Sequence, residues 1–295
     1  MKKLLVTDID GTITDKAHRL DPDVIDTLIS LSKSDWSLFF LTGRYFSYAS
    51  PLFKKFPVPY LLGCQNGASV WSSISQTFVY SQNLNRDLLA VLQESVADCP
   101  VTLSIESGAS HNDHYYRYSP TLESKFLYKM LDPVYFPTSN ERSILVETEN
   151  LEKEYPFPSF AAAKIIGERC VVEEIQKKLI QNKDFISKVN LALMRWPFDF
   201  NYSILFFTDK NVSKGHALDR VIEIFYNGEK PFVMASGDDN NDIGLILRGD
   251  FRIVMKSAPE ELHGIADFLA PPAEENGILS AWEAGVNYFK GLMNV

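Results

Sequence analysis

The chain has 295 residues, 45% of them hydrophobic and 23% charged, with a net charge of −9. That acidity argues against nucleic-acid binding through a broad basic surface, though not against a local positive pocket. Cys64, Cys99 and Cys170 are odd in number and form no CxxC, no stretch approaches the roughly 20 apolar residues of a membrane span, and the apolar run before Thr7 is too short for a signal peptide, so neither disulfide scaffold, zinc site nor membrane is expected and a reduced cytoplasmic setting fits.

Leu4, Leu5 and Val6 read as a buried strand that ends in Asp8-Ile9-Asp10-Gly11-Thr12. Side chains alternate along a strand, so Asp8 and Asp10 share one side while Ile9 faces away. Two carboxylates that close repel, and are tolerable with a divalent cation between them or with one protonated. Asp21-Pro22 reads as N-cap and first helical residue, followed by the helical stripe Val24, Ile25, Leu28, Ile29 and Leu31. The apolar run 37–41 breaks into Thr42-Gly43-Arg44, completing one parallel crossover unit. A short strand over 57–63 leads to Gln65-Asn66-Gly67, and 68–81 reads as a hairpin.

The character changes near residue 83. Segment 84–97 reads as an amphipathic helix, and 101–160 mixes aromatics, serines and prolines. A strand at 161–166, a helix at 171–181 and strands at 189–194 and 202–207 make this stretch an α+β insert. Ser213 then caps a helix with Lys214 in its first turn. The strand 231–235 runs into Ser236-Gly237-Asp238-Asp239-Asn240-Asn241-Asp242. A strand at 251–255, a capping box at Ser257–Glu260, a strand at 267–270 and a helix near 278–292 close the chain.

Near-continuous apolar strands with polar tips indicate a parallel sheet covered on both faces, and ligands bind outside the carboxyl ends of such strands. In order, Asp8-x-Asp10-Gly11-Thr12, Thr42-Gly43-Arg44, Lys214-Gly215 and Gly237-Asp238-x-x-Asn241-Asp242 resemble the four motifs of the haloacid dehalogenase superfamily. Asp at both 8 and 10 is its phosphatase form. Gln65-Asn66-Gly67-Ala68, the long insert, Ala258-Pro259-Glu260-Glu261-Leu262 and Ala266-Asp267 resemble the Cof-type sugar-phosphatase branch. The likeness covers both ends of the chain well and the middle poorly. The expected fold is α/β: a Rossmann-like parallel sheet core at 1–82 and 209–295, with an α+β cap inserted at 83–208.

The expected activity is Mg²⁺-dependent hydrolysis of small phosphorylated metabolites, most of all sugar phosphates. A carboxylate nucleophile splits the reaction through an aspartyl-phosphate. Asp8 takes that role, and Asp10 protonates the leaving oxygen and later deprotonates water. A hard cation cancels the repulsion between carboxylate and phosphate, held by Asp8, the Asp10 carbonyl and Asp238, with Asp242 either ligating directly or orienting metal-bound water. Thr42, the Gly43 amide and Lys214 form the phosphate cradle. Arg44 and Asn66 contact substrate or brace the loop, Thr12 supports loop geometry, and Asp239 has no assigned role.

Rival expectations are a phosphotransferase or phosphomutase, a nucleotide or cofactor (flavin or pyridoxal phosphate) phosphatase, and a non-catalytic binding protein for a phosphorylated metabolite. His111 and His114, lacking a third ligand, read as a polar loop rather than a zinc site. Arg195-Trp196 reads as a surface pair in preference to a phosphate grip.

Overall fold

The computed structural model describes residues 1–14, 19–196 and 199–294. The chain divides into two compact units. The first comprises Met1–Gly43, Leu52–Tyr80 and Ser213–Val295, the second Arg44–Pro51 and Ser81–Val212. The bounds differ from the sequence division at three points, the first being that the second unit resumes at Ser81 rather than at 83. The second unit runs on to Val212, whose carbonyl accepts from Asn190 Nδ2 at 2.6 Å and Thr208 Oγ1 at 3.1 Å. Arg44–Pro51, close behind the second motif, also groups with it.

In the first unit an eight-stranded sheet has the order Phe268–Ala270, Phe251–Met255, Phe232–Gly237, Lys3–Asp8, Trp36–Leu41, Leu61–Cys64, Ser69–Ser72, Thr77–Ser81. Its first six strands are parallel, and Ser69–Ser72 turns back antiparallel on Leu61–Cys64. The central strands are apolar on both sides because both faces are covered. Leu4, Val6, Phe39, Leu41, Val233 and Ala235 pack with Ala217, Leu218 and Val221 of the helix Lys214–Tyr226. The helix Ile278–Met293 comes so near the sheet that a Cβ at Gly285 would strike Met234 and Phe251. The helix Pro22–Lys33 starts as expected, with the Asp21 carboxylate accepting from Asp23 N at 2.9 Å.

Two expectations about helix starts fail. The helix read over 84–97 is confined to Leu89–Ser95, because Leu84–Asn85 pairs as a strand with Ser159–Phe160 and the Asn85 side chain caps the turn at 86–88. The N-cap expected at Ser257 falls two residues later. Pro259 occupies the N-cap of Glu260–His263 and offers no side-chain acceptor.

The second unit carries a six-stranded sheet in the order Val189–Arg195, Tyr202–Asp209, Ala162–Glu168, Thr102–Glu106, Tyr115–Tyr118, Leu145–Thr148. All pairs are antiparallel except the last. Leu103, Ile105, Ala163, Ile165, Leu205 and Phe207 face Leu89, Leu92, Val172 and Ile175 of two helices. Alternation sends Ser104, Lys164, Arg117 and Glu147 to the opposite face. There Lys164 pairs with Glu106 at 2.5 Å, and Arg117 pairs with Asp132 and Glu147 at 2.5 and 2.7 Å over the Tyr128 ring. Trp196, expected at the surface, is instead buried among Leu131, Ile166 and Ile204. Among the described residues no helix is long and apolar enough to cross a membrane.

Candidate active site

Register gathers the polar tips. Asp8 lies opposite Leu41, and Thr7 opposite both Phe40 and Ser236. Asp8, Thr42 and Gly237-Asp238 therefore leave the sheet at one edge. The chain departs from Lys3–Asp8 to either side, which makes this the topological switch point where open parallel sheets bind ligands. Ser236 Oγ donates to Thr7 Oγ1 at 2.7 Å and ties the two strand ends below the site.

The loop after Asp8 folds on the Ile9 carbonyl, which accepts from the amides of Ile13 and Thr14 at 3.0 Å and from Thr14 Oγ1 at 3.1 Å. Gly11 sits at φ +79°, and a Cβ there would strike the Asp238 carboxylate. Glycine thus admits the closest approach of the first and fourth motifs. Thr12 Oγ1 donates to Asp238 Oδ1 at 3.3 Å across the same gap.

Lys214 is the first residue of its helix, capped by Ser213, whose hydroxyl accepts from His216 N at 3.1 Å. The side chain is 1% exposed. Nζ donates to Asp8 Oδ1 and, at 2.5 Å, to Asp242 Oδ1. Asp242 Oδ2 accepts the amides of Asp238 and Asp239 at 3.0 and 3.1 Å. Asp242 is thus the brace that fixes Lys214 and the 238–242 turn together. Asp239 closes a capping box with Asp242. Neither arrangement was legible in the sequence, although both residues stood in a recognised motif.

Thr42 Oγ1 reaches Asp10 Oδ2 at 3.5 Å. The Thr42 amide donates to the Gly63 carbonyl and its own carbonyl accepts from Asn66 N at 2.8 Å. Gln65 and Asn66 are both left-handed, at φ 47° and 55°, a costly pair for non-glycine residues. Asn66 Oδ1 accepts from Asn241 Nδ2 at 3.0 Å, so the amide group it has left to offer is the donor. The sequence assigned Asn241 no role of its own; here its side chain ties the Gln65-Asn66-Gly67 turn to the fourth motif. Gly43 stays with the first unit, while Arg44 belongs to the second, its guanidinium 4.5 Å from the Tyr48 ring centre. His111 stacks on Phe157 at 4.3 Å.

Asp8, Asp238 and Asp242 each offer a carboxylate oxygen within 4.8 Å of the others. Lys214 is the counter-charge bonded among them. Burial works against the Lys214 charge, yet Asp242 and Asp8 outweigh it and hold its pKa above the usual lysine range. Burial, relieved in part by Lys214 but reinforced by Asp242 and Asp10, pushes Asp8 up to about 7. Burial and then the Asp8 charge push Asp238 well above the usual carboxylate range. Surplus buried negative charge on hard oxygen donors fits a divalent cation such as Mg²⁺. Asp8 and Asp238 would hold it, with Asp242 behind them.

These shifts make stability depend on pH. A carboxylate raised in the folded state contributes stability that is fully present below its unfolded pKa and lost as pH rises through its folded pKa. For Asp8 that window runs from the ordinary carboxylate value of 3.8 to about 7. The melting temperature in EDTA should carry a component that falls across it. Mg²⁺ held by these carboxylates would favour their ionised form, so the expected rise in melting temperature on adding Mg²⁺ should grow from about pH 5.5 to about pH 8. Melts with and without Mg²⁺ check both; a Mg²⁺ effect that shrinks with pH would sink the account.

Residues 5–281 match the haloacid dehalogenase-like hydrolase family. The chain belongs to that family. The likeness seen in its four motifs is borne out, and the protein is an enzyme of this hydrolase group. It is 22% identical over 280 residues to a phosphoglycolate phosphatase of Methanothermobacter thermautotrophicus, covering 95% of this chain and 96% of that one. A second phosphoglycolate phosphatase, from Sulfurisphaera tokodaii, is 31% identical over 108 residues, which span 37% of this chain and 45% of the relative. Among solved structures, the phosphatase BT1666 of Bacteroides thetaiotaomicron matches 96% of this chain and 95% of its own, with TM-score 0.75 and 17% identity. The subclass IIB sugar phosphatase BT4131 matches 96% and 98%, with TM-score 0.73 and 18% identity. These structural matches show the shared α/β fold.

Proposed function

We propose that the protein is a Mg²⁺-dependent phosphomonoester hydrolase that works through an aspartyl-phosphate on Asp8. The observation that carries this reading is the buried Lys214 shared between Asp8 and Asp242, with Asp238 beside them. A binding protein has no use for a nucleophile whose charge is so costly to bury. A cation held by Asp8, the Asp10 carbonyl and Asp238, with Asp242 behind them, would supply the positive charge that lets carboxylate and phosphate dianion approach. Asp8 Oδ attacks phosphorus and the ester oxygen departs, taking a proton from Asp10. Asp10 then takes a proton from the water that attacks the aspartyl-phosphate, releasing phosphate and freeing Asp8. The Thr42 hydroxyl, hydrogen-bonded to Asp10, orients that acid and turns with the Gly43 amide towards phosphate oxygens. Asn66 adds a donor set by Asn241, Arg44 adds a contact to substrate, and Lys214 neutralises charge on the phosphoryl group in flight.

The second unit serves as the substrate-selecting cap, and its lack of readable motifs is why the leaving group is not legible. Small sugar phosphates are the leading substrate class. The relative matched over nearly its whole length adds 2-phosphoglycolate. A reduced cytoplasmic setting belongs to this reading, on the odd number and wide spacing of Cys64, Cys99 and Cys170.

The test is phosphate release from hexose, pentose, nucleotide and pyridoxal phosphates and 2-phosphoglycolate, each with Mg²⁺ and with EDTA. Release that requires Mg²⁺ is expected. Folded protein that releases none but labels an added sugar would instead be a phosphotransferase, and the hydrolase reading would fall.

A further inference from the structure

The short helix Phe46–Ala49 lies three residues beyond Thr42-Gly43, in a segment that groups with the second unit. Helix starts leave backbone donors without partners, and a side chain at the N-cap ordinarily satisfies one. Here the N-cap is Tyr45, which makes no such bond. The acceptor comes from 66 residues away. Asp113 Oδ2 accepts the Ser47 amide at 2.7 Å and the Ser47 hydroxyl at 2.8 Å.

Asp113 is built for this one contact. It is 3% exposed and stands at the tip of the hairpin between Thr102–Glu106 and Tyr115–Tyr118. Asn112 and Asp113 are both left-handed, at φ 58° and 52°. The tip is closed by the Asp113 amide on the Gly108 carbonyl at 3.0 Å and by the Ser107 amide on the His114 carbonyl at 2.9 Å. Consecutive strained residues persist where the surroundings over-determine them, and here they aim one carboxylate at one serine.

The gripped helix carries the platform for Arg44. Tyr48, next to Ser47, receives the Arg44 guanidinium at 4.5 Å. Tyr45 packs on Tyr48 and Tyr115 at 5.6 and 6.0 Å, and its hydroxyl donates to the Tyr135 carbonyl at 3.3 Å. Arg44 is one peptide from Gly43, so its Cα stands about 3.8 Å from the phosphate-binding motif. We propose that Asp113 is a positioning residue for Arg44: by holding Ser47 it fixes the Tyr48 platform, and so the direction in which Arg44 meets the substrate. This rests on the reading of Arg44 as a substrate contact.

The test uses the full chain, para-nitrophenyl phosphate as substrate and inorganic phosphate as inhibitor. Ser47 is exposed, so Ser47→Ala removes one of the two donors without disturbing a core. Asp113→Asn keeps a residue that tolerates the left-handed backbone and removes the charge. Each should raise KM and the phosphate inhibition constant roughly fivefold to tenfold while kcat changes less than about twofold, because a misplaced binding group weakens capture rather than chemistry. Ser47→Thr, which keeps both donors, should restore native values.

Arg44→Ala should raise KM by at least as much, and Ser47→Ala added to it should cost nothing more. Additive effects would overturn the positioning role. So would an unchanged KM in Asp113→Asn, even with a lowered melting temperature, since that is the mark of a bond that only stabilises. If Arg44→Ala itself left KM unchanged, the substrate contact would be refuted, and the positioning role with it. A raised KM in Arg44→Ala beside an unchanged one in Asp113→Asn would refute the positioning alone.

Discussion

Asp8→Asn is expected to lower turnover by roughly 10⁴-fold or more, because a group that forms the covalent bond has no substitute. The same change should leave the metal-free fold as stable as before, or more so. Asp8 is driven towards neutrality by burial and by its neighbours Asp242 and Asp10, so above its pKa of about 7 its charge is a burden on the folded state. An amide of the same shape removes that burden, and Lys214 keeps Asp242 as its partner at 2.5 Å. Phosphate release and thermal melting in EDTA at about pH 8, on one preparation, check the pair. Retained turnover would reject Asp8 as nucleophile. Lost turnover with a large fall in melting temperature would reject the account of a site that carries excess negative charge for a cation to relieve.

The residues legible in the sequence were those whose chemistry is local to a strand end. Asp8, Asp10, Thr42 and Asp238 could be read because an apolar run must stop where a polar group begins, and the parallel register then brings the stops together. Lys214 could be read only from its order among the four motifs, with its place in the first turn of a helix as context. What escaped were relations between motifs. Nothing in Asn241 announces that it holds Asn66 across 175 residues, or in Asp113 that it holds Ser47. Both depend on where loops end in space. Segment 101–160 resisted reading for a related reason. None of its strands is longer than five residues, and one face carries Arg117, Glu106 and Ser104 where an apolar stripe would otherwise have marked it. Leu84 misled because an apolar residue one turn before a helix extends its periodicity, although the backbone there pairs as a strand.

Lys214→Met should combine the two kinds of loss that Asp8→Asn separates. Methionine fills a similar volume without charge. Asp8 and Asp242 would lose their shared partner, in a place where Lys214 is 1% exposed and Asp242 wholly buried. Removing one member of a buried ionic network costs about 3–5 kcal/mol, because the charges left behind have neither water nor partner. Turnover should fall roughly 10²–10³-fold in saturating Mg²⁺, the usual cost of removing one electrostatic donor from a developing charge. The stability loss should be pH-dependent, smaller near pH 5 where Asp8 is protonated and larger near pH 8. Mg²⁺ should recover part of the stability, since it too neutralises Asp8 and Asp238, but little of the rate, since Lys214 acts on the phosphoryl group itself. Denaturant melts at both pH values with and without Mg²⁺, beside the rate measurement, distinguish these effects. Full recovery of rate by Mg²⁺ would mean that Lys214 serves only to hold the carboxylates together, and its place in the phosphate cradle would have to be given up.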